Sequence, residues 1–184
     1  MAKKIYSLIG LPCAGKSHVA KLIADKIFNN KCTHISAGDI ARSLMTTPEL
    51  KTQTVTADLF PLEDLIRSKI SELVENAPNL PVIMEGVPRF DLQAEWFINN
   101  FWTYQPEIIQ INVGDVVTLH YRAKMRGRDS DTDFTKRLAT AEKNMAGVFR
   151  VLSSRTVPTY NLFNDNDEQT IKAFHKLFPK ARSI

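Results

Sequence analysis

Short apolar runs rich in β-branched residues alternate along this chain with longer stretches in which apolar positions recur at helical spacing. The short runs predict strands over Lys3–Ile9, Thr33–Ser36, Pro81–Met84, Glu107–Val113 and Thr156–Leu162. The longer stretches predict helices over Gly15–Phe28, Gly38–Leu44, Pro61–Asn76, Leu92–Phe101, Asp115–Met125, Asp131–Leu152 and Asp167–Leu177. Strand–helix alternation of this kind predicts an α/β fold: a doubly wound, five-stranded parallel sheet with helices on both faces. Ligands of such sheets bind at the carboxyl ends of the strands. No internal repeat and no low-complexity linker interrupts the pattern. The 184 residues are therefore expected to form a single domain, 1–184.

Composition adds little to that picture and removes several classes. No run of 18 apolar residues is present, so no membrane span is expected. Met1-Ala2-Lys3-Lys4 leads at once into the first strand, too short and too polar for a secretory signal. Cys13 and Cys32 have neither metal-ligand spacing nor the numbers for a disulfide framework, which makes a reducing cytoplasm the expected location. The net charge of +4 comes without a basic tail. Basic density is local, at Arg122, Lys124, Arg126, Arg128 and then Lys136-Arg137. That suits a small polyanion at one site rather than a nucleic acid along a face.

The candidate chemistry starts at Gly10-Leu11-Pro12-Cys13-Ala14-Gly15-Lys16-Ser17, which fits G-x-x-x-x-G-K-[ST] between a predicted strand and a predicted helix. Glycines there let backbone N–H groups turn inward around phosphate oxygens, and the helix opening near Gly15 adds its positive end. Lys16 can reach the β- and γ-phosphates, and Ser17 can ligate Mg²⁺. A nucleoside triphosphate is the expected ligand. After the second strand comes Ser36-Ala37-Gly38-Asp39-Ile40-Ala41-Arg42, and after the third Glu85-Gly86-Val87-Pro88-Arg89, with Gln93 four residues on. Arg42 and Arg89 would offer two planar forks to a second phosphate group. His18, directly after the phosphate loop, reads as a helix residue, because phosphoryl transfer needs little proton chemistry. His34, His120 and His175 show no metal-ligand spacing.

These segments, in this order and nearly from end to end, resemble the adenylate kinase family and nucleoside monophosphate kinases generally. Gly10 to Ser17 matches the family's phosphate loop, and Ser36 to Arg42 its S-[TA]-G-D-x-x-R segment. Leu59-Phe60-Pro61 resembles the L-V-P step, and Glu85 to Arg89 the D-G-[FY]-P-R turn, with Gln93 at the base-reading glutamine. Arg122 to Gly127 resembles R-x-x-x-R-G, Gly127 to Asp131 resembles G-R-x-D-D, and Lys136-Arg137-Leu138 the later [KR]-R-[LI]. The resemblance implies transfer of the ATP γ-phosphoryl to a nucleoside monophosphate, with AMP or dAMP expected first, by a monomer without nucleic-acid or membrane partners. Lys16, Arg89, Arg126, Arg128 and Arg137 would be catalytic. Gly10, Pro12, Cys13, Ala14, Gly15, Lys16, Ser17, His18 and Arg122 would hold ATP, Arg122 by stacking on its base. Ala37, Gly38, Asp39, Arg42, Phe60, Gly86, Arg89 and Gln93 would hold the acceptor. Ser17 would bind Mg²⁺, with Glu85 acting through water.

Residues 38–77 would carry the acceptor-binding helices and 126–137 a short lid, too short for a separate lid sheet or zinc site. The chain departs from the family at Cys13, where glycine is usual, at Ser17-His18 in place of Gly-Thr, and at Glu85 in place of Asp. Ala37 replaces the threonine common in adenylate kinases, and Phe60 is larger than the usual valine. Two other readings stay open: a small-metabolite kinase of the same fold, and a nucleotide-binding scaffold without catalysis.

Overall fold

The computed structural model describes residues 3–45, 62–78, 81–127 and 130–179. Strands β1 (Ile5–Ile9), β2 (Thr33–Ser36), β3 (Val82–Glu85), β4 (Glu107–Asn112) and β5 (Thr159–Phe163) form one sheet in the order β2-β3-β1-β4-β5. Every pairing is parallel. Between the strands run α1 (Lys16–Lys26), α2 (Ala37–Leu44), α3 (Glu63–Asn76), α4 (Asp91–Phe101), α5 (Val116–Arg126), α6 (Asp131–Ser154) and α7 (Asp167–Leu177).

All five residues of β1 are buried, as a central strand covered on both faces requires. Ile5 and Ile9 enter one core with Met84, Phe97 and Val148, while Tyr6 and Leu8 enter the other with Ile23, Ile109 and Phe174. The strand's period of two thus divides one apolar run between two cores. Helix α6, 24 residues long, serves both: Phe134 and Leu138 belong to the second core, Met145, Val148 and Val151 to the first. Met45, Met84 and Met145 are buried, whereas Met125 is exposed on its helix.

Element by element, the predicted order holds and boundaries move by a few residues. The largest shift is at β5, which starts at Thr159 rather than Thr156. Residues 156 and 157 close the end of α6 instead: Thr156 N–H donates to Ser153 C=O, Val157 N–H donates to Leu152 C=O, and Thr156 has a positive φ. Among the described residues no helix is long and apolar enough to cross a membrane.

The parallel registers set the site. Leu8 and Ser36 both pair with Glu85, so the carboxyl ends of β1, β2 and β3 stop at one level. The phosphate loop, the start of α2 and the Glu85–Arg89 turn therefore leave the sheet side by side. The Ser7 hydroxyl, inside β1, donates to the Val87 carbonyl and ties the last of these turns to the central strand.

Candidate active site

The loop from Gly10 to Gly15 takes its shape from close approach. Gly10 has φ +142°, and a Cβ there would lie 2.5 Å from the Ile111 carbonyl oxygen on β4. Gly15 has φ +94°, and a Cβ there would lie 2.1 Å from Asn164 Nδ2. Both positions lie in the region that glycine alone enters without penalty. Helix α1 starts at Lys16 with no side-chain cap and no acidic residue in its first turn. Its first N–H groups and the positive end of its dipole therefore remain for an anion. Lys16 Nζ donates to the Gly10 and Leu11 carbonyls, 2.8 Å each, folded back over the loop it serves. Burial pushes its pKa down to about 7, helped by the Arg89 and Arg137 charges and opposed by Glu85.

Glu85 is 4 % exposed at the end of β3. Burial raises the pKa of its carboxyl, but the His34 ring and the Ser17 and Ser36 hydroxyls outweigh this and hold it below the usual value. His34 Nε2 stands 3.6 Å from the Glu85 carboxylate, an electrostatic contact longer than a hydrogen bond. The Ser17 hydroxyl thus acts on the Glu85 carboxylate, and the two offer oxygens of the kind that suits Mg²⁺, which is bound by one or two protein oxygens alongside phosphates and water. Among the described residues no group of three His, Cys, Asp or Glu stands ready to hold a metal.

On the other side of Glu85, the start of α2 is capped by Ser36, whose Oγ accepts from Asp39 N–H at 3.2 Å. Asp39 in turn accepts from Arg42 Nη2. Arg89 Nε donates to the Gly86 carbonyl at 2.8 Å. The guanidinium groups of Arg42 and Arg89 converge on Gly38, lying 3.3 and 3.7 Å from where its Cβ would be. Burial, with the Arg137 charge next and Arg42 further, lowers the pKa of Arg89 against the pull of Glu63 and Glu85. Arg89 therefore stands within electrostatic reach of Arg137 and Arg42, and Lys16 within reach of Arg89 and Arg137, with Glu85 beside both. Such a group of cations defines a place for anions.

A cavity of about 520 Å³ opens beside the phosphate loop. Cys13, Gly15 to His18, Arg122 and Arg126 line it together with Asn164 to Asp167. Arg122 donates to the Ala14 and Asn164 carbonyls, 3.3 Å each, which brings its guanidinium to the wall of this cavity. His18 is a helix residue, as expected, but it also bonds across the cavity mouth, Nε2 to Asp167 Oδ1 at 2.7 Å.

Two neighbours of these side chains, Asn164 and Glu63, were not predicted. Asn164 Nδ2 donates to the Ala14 carbonyl at 2.9 Å and so braces the phosphate loop from β5. The available signal was its position: Asn164 to Asp167 follow a strand, at its carboxyl end, and Asn166 caps α7. Glu63, 5 % exposed, was also missed. Its spacing to Arg67 reads as an ordinary surface pair. Gln93 is buried, with its amide bonded to Arg89 N–H and to Glu63. Pro12, Ala37 and Asp39 lie where the strand ends place them. Phe60 and Arg128 lie outside the described residues, as does part of the 38–77 and 126–137 segments.

Fold and site together define an ATP-dependent phosphotransferase built on a phosphate-loop α/β sheet. A family model described as an AAA domain matches residues 9–138. The adenylate kinase of Nautilia profundicola is 28% identical over 92% of this chain and 91% of its own. That of Campylobacter jejuni is 31% identical over 71% of this chain and 70% of its own. The chain belongs to the adenylate kinase family, whose general activity is nucleoside monophosphate phosphorylation.

Proposed function

We propose that this protein transfers the γ-phosphoryl of ATP to AMP or dAMP. The observation that carries this reading is the convergence of Arg42 and Arg89 beside the Lys16 phosphate loop. A single bound triphosphate would need Lys16 and the α1 N-terminus. A second fork of guanidinium groups, reached from α2 and the β3 turn, fits a second phosphorylated molecule. Transfer requires an acceptor phosphate oxygen to attack the γ-phosphorus while its bond to the β,γ-bridging oxygen breaks, leaving ADP. Donor and acceptor both carry negative charge, so the protein must neutralise them and hold them in line. Lys16 binds the donor phosphates, Arg42 the acceptor phosphate, and Arg89 stands between the two. Arg137 adds charge to the transferring group. Arg126, on the cavity wall, and Arg128 would close over the donor as a short lid within residues 126–137.

Ser17 and Glu85 would hold Mg²⁺, which supplies charge neutralisation across the donor phosphates. Arg122 would stack on the donor base. The acceptor base would be read by Gln93, whose amide offers one donor and one acceptor beyond those it uses internally. In this reading the chain is one domain and acts as a monomer in the cytoplasm. A coupled ADP-release assay over ribo- and deoxynucleoside monophosphates tests it, with AMP or dAMP expected to give the highest kcat/KM. A sugar or small acid as the better acceptor, or no turnover with any monophosphate, would overturn it in favour of a metabolite kinase or a non-catalytic scaffold respectively.

A further inference from the structure

Gln93, on α4, sits in a chain of polar contacts that starts at Arg67 on α3, one turn beyond Glu63. Arg67 lies over the Trp96 ring, 5.6 Å from its centroid, and its Nε donates to Glu63 Oε1 at 2.7 Å. The Glu63 carboxylate accepts from Gln93 Nε2, at 2.9 Å to one oxygen and 3.3 Å to the other. Gln93 Oε1 accepts from the Arg89 backbone N–H at 2.7 Å. Glu63 and Gln93 are 5 % and 3 % exposed, so water does not compete for these groups.

The partners permit one orientation of the amide. Turned over, it would set NH₂ against the Arg89 N–H and oxygen against the Glu63 carboxylate, two buried clashes of like polarity. A side-chain amide has two hydrogens and two lone pairs, of which this network takes part and leaves a donor and an acceptor. The order of that donor and acceptor matters for purines. A 6-amino purine offers an acceptor at N1 and a donor at N6, whereas a 6-oxo purine offers a donor at N1 and an acceptor at O6. An amide free to turn over pairs with either. A fixed amide pairs with one and meets the other with donor on donor.

We infer that Glu63 is a specificity-determining positioning residue, which fixes the orientation of the Gln93 amide and thereby selects a 6-amino over a 6-oxo purine monophosphate. The inference rests on the proposed reading that Gln93 faces the acceptor base. Glu63→Gln keeps shape but replaces a side chain that can only accept by one that can also donate, and among the described residues it leaves the Arg89 N–H as the fixed partner of the Gln93 amide.

The test compares kcat/KM for AMP, IMP and UMP in the wild type and in Glu63→Gln. The wild type should favour AMP over IMP by roughly a hundredfold or more, and the variant should close that gap by roughly tenfold or more. The AMP-to-UMP ratio should move less. A variant that keeps the wild-type AMP-to-IMP ratio overturns the role of Glu63 and leaves the base reading intact. A wild type that prefers UMP overturns the base reading itself, before any substitution is made. Should Glu63→Gln fail to fold, nitrogen-15 NMR of the nucleotide-free wild type decides. Gln93 side-chain amide protons slow to exchange with solvent and a high side-chain order parameter are expected, and a fast-exchanging, disordered amide overturns the inference.

Discussion

Single side chains in this site carry charge into places that resist it, and the consequences are measurable. Lys16 falls from its ordinary 10.5 to about 7, chiefly through burial and then the Arg89 charge. Between those values the unfolded chain binds more protons at this position than the folded one. Stability from this group therefore rises with pH through that window, and its full cost stands below pH 7. A bound triphosphate supplies the missing anion and restores the proton. ATP binding near pH ~8 should thus take up protons at Lys16, measured by calorimetry in buffers of different ionisation enthalpy. Lys16→Met should lose that uptake and drop turnover by roughly a hundredfold or more. Equal uptake in the variant would assign the proton elsewhere.

Cys13 makes a second case. Its φ of 63° lies in the left-handed region, which costs a residue with a Cβ about 1–2 kcal/mol. Glycine would avoid that cost and give back about 0.5–1 kcal/mol in chain entropy. Cys13→Gly should therefore raise the urea midpoint slightly at unchanged slope. A lower midpoint would mean that the thiol's packing outweighs the strain. From sequence this position showed only as a departure from a glycine; its left-handed backbone became visible with the loop.

Elements place these residues, and most elements were legible. Their order, type and approximate limits follow from periodicity, because a two-sided sheet demands apolar strands and half-buried helices. The strand-end rule then located the phosphate loop, the α2 start and the Glu85–Arg89 turn. The same rule applied to β5 points to Asn164, which no local motif marks. Asn164→Ala would leave the Ala14 carbonyl to the longer Arg122 contact alone. Loss of a buried partner costs about 1–3 kcal/mol, and here it loosens the phosphate loop. Steady-state kinetics should show a several-fold higher ATP KM with little change in acceptor KM. An increase confined to the acceptor would place Asn164 outside the donor site.

At the scale of the whole molecule, the sheet gathers cations that repel one another until substrates arrive. Arg89 is the centre of that repulsion, facing Arg137 and Arg42. Arg89→Met should cut turnover by roughly a hundredfold while leaving the nucleotide-free protein at least as stable, by thermal unfolding. A clear loss of stability would show that the Gly86 bond and the neighbouring carboxylates matter more than the repulsion. The sequence by itself determined which elements form, their order, and the phosphate loop, since each depends on residues adjacent along the chain. It also named Arg42, Arg89, Arg137 and Gln93 through a spaced resemblance. Only the tertiary structure decided that α3 delivers a buried carboxylate to Gln93, that the residue after β5 braces the phosphate loop, and that Arg42 and Arg137 both stand near Arg89. Those facts depend on contacts between distant segments, such as Glu63 with Gln93 and Ala14 with Asn164. Burial of this kind turns what reads as a surface ion pair or a loop asparagine into part of the site.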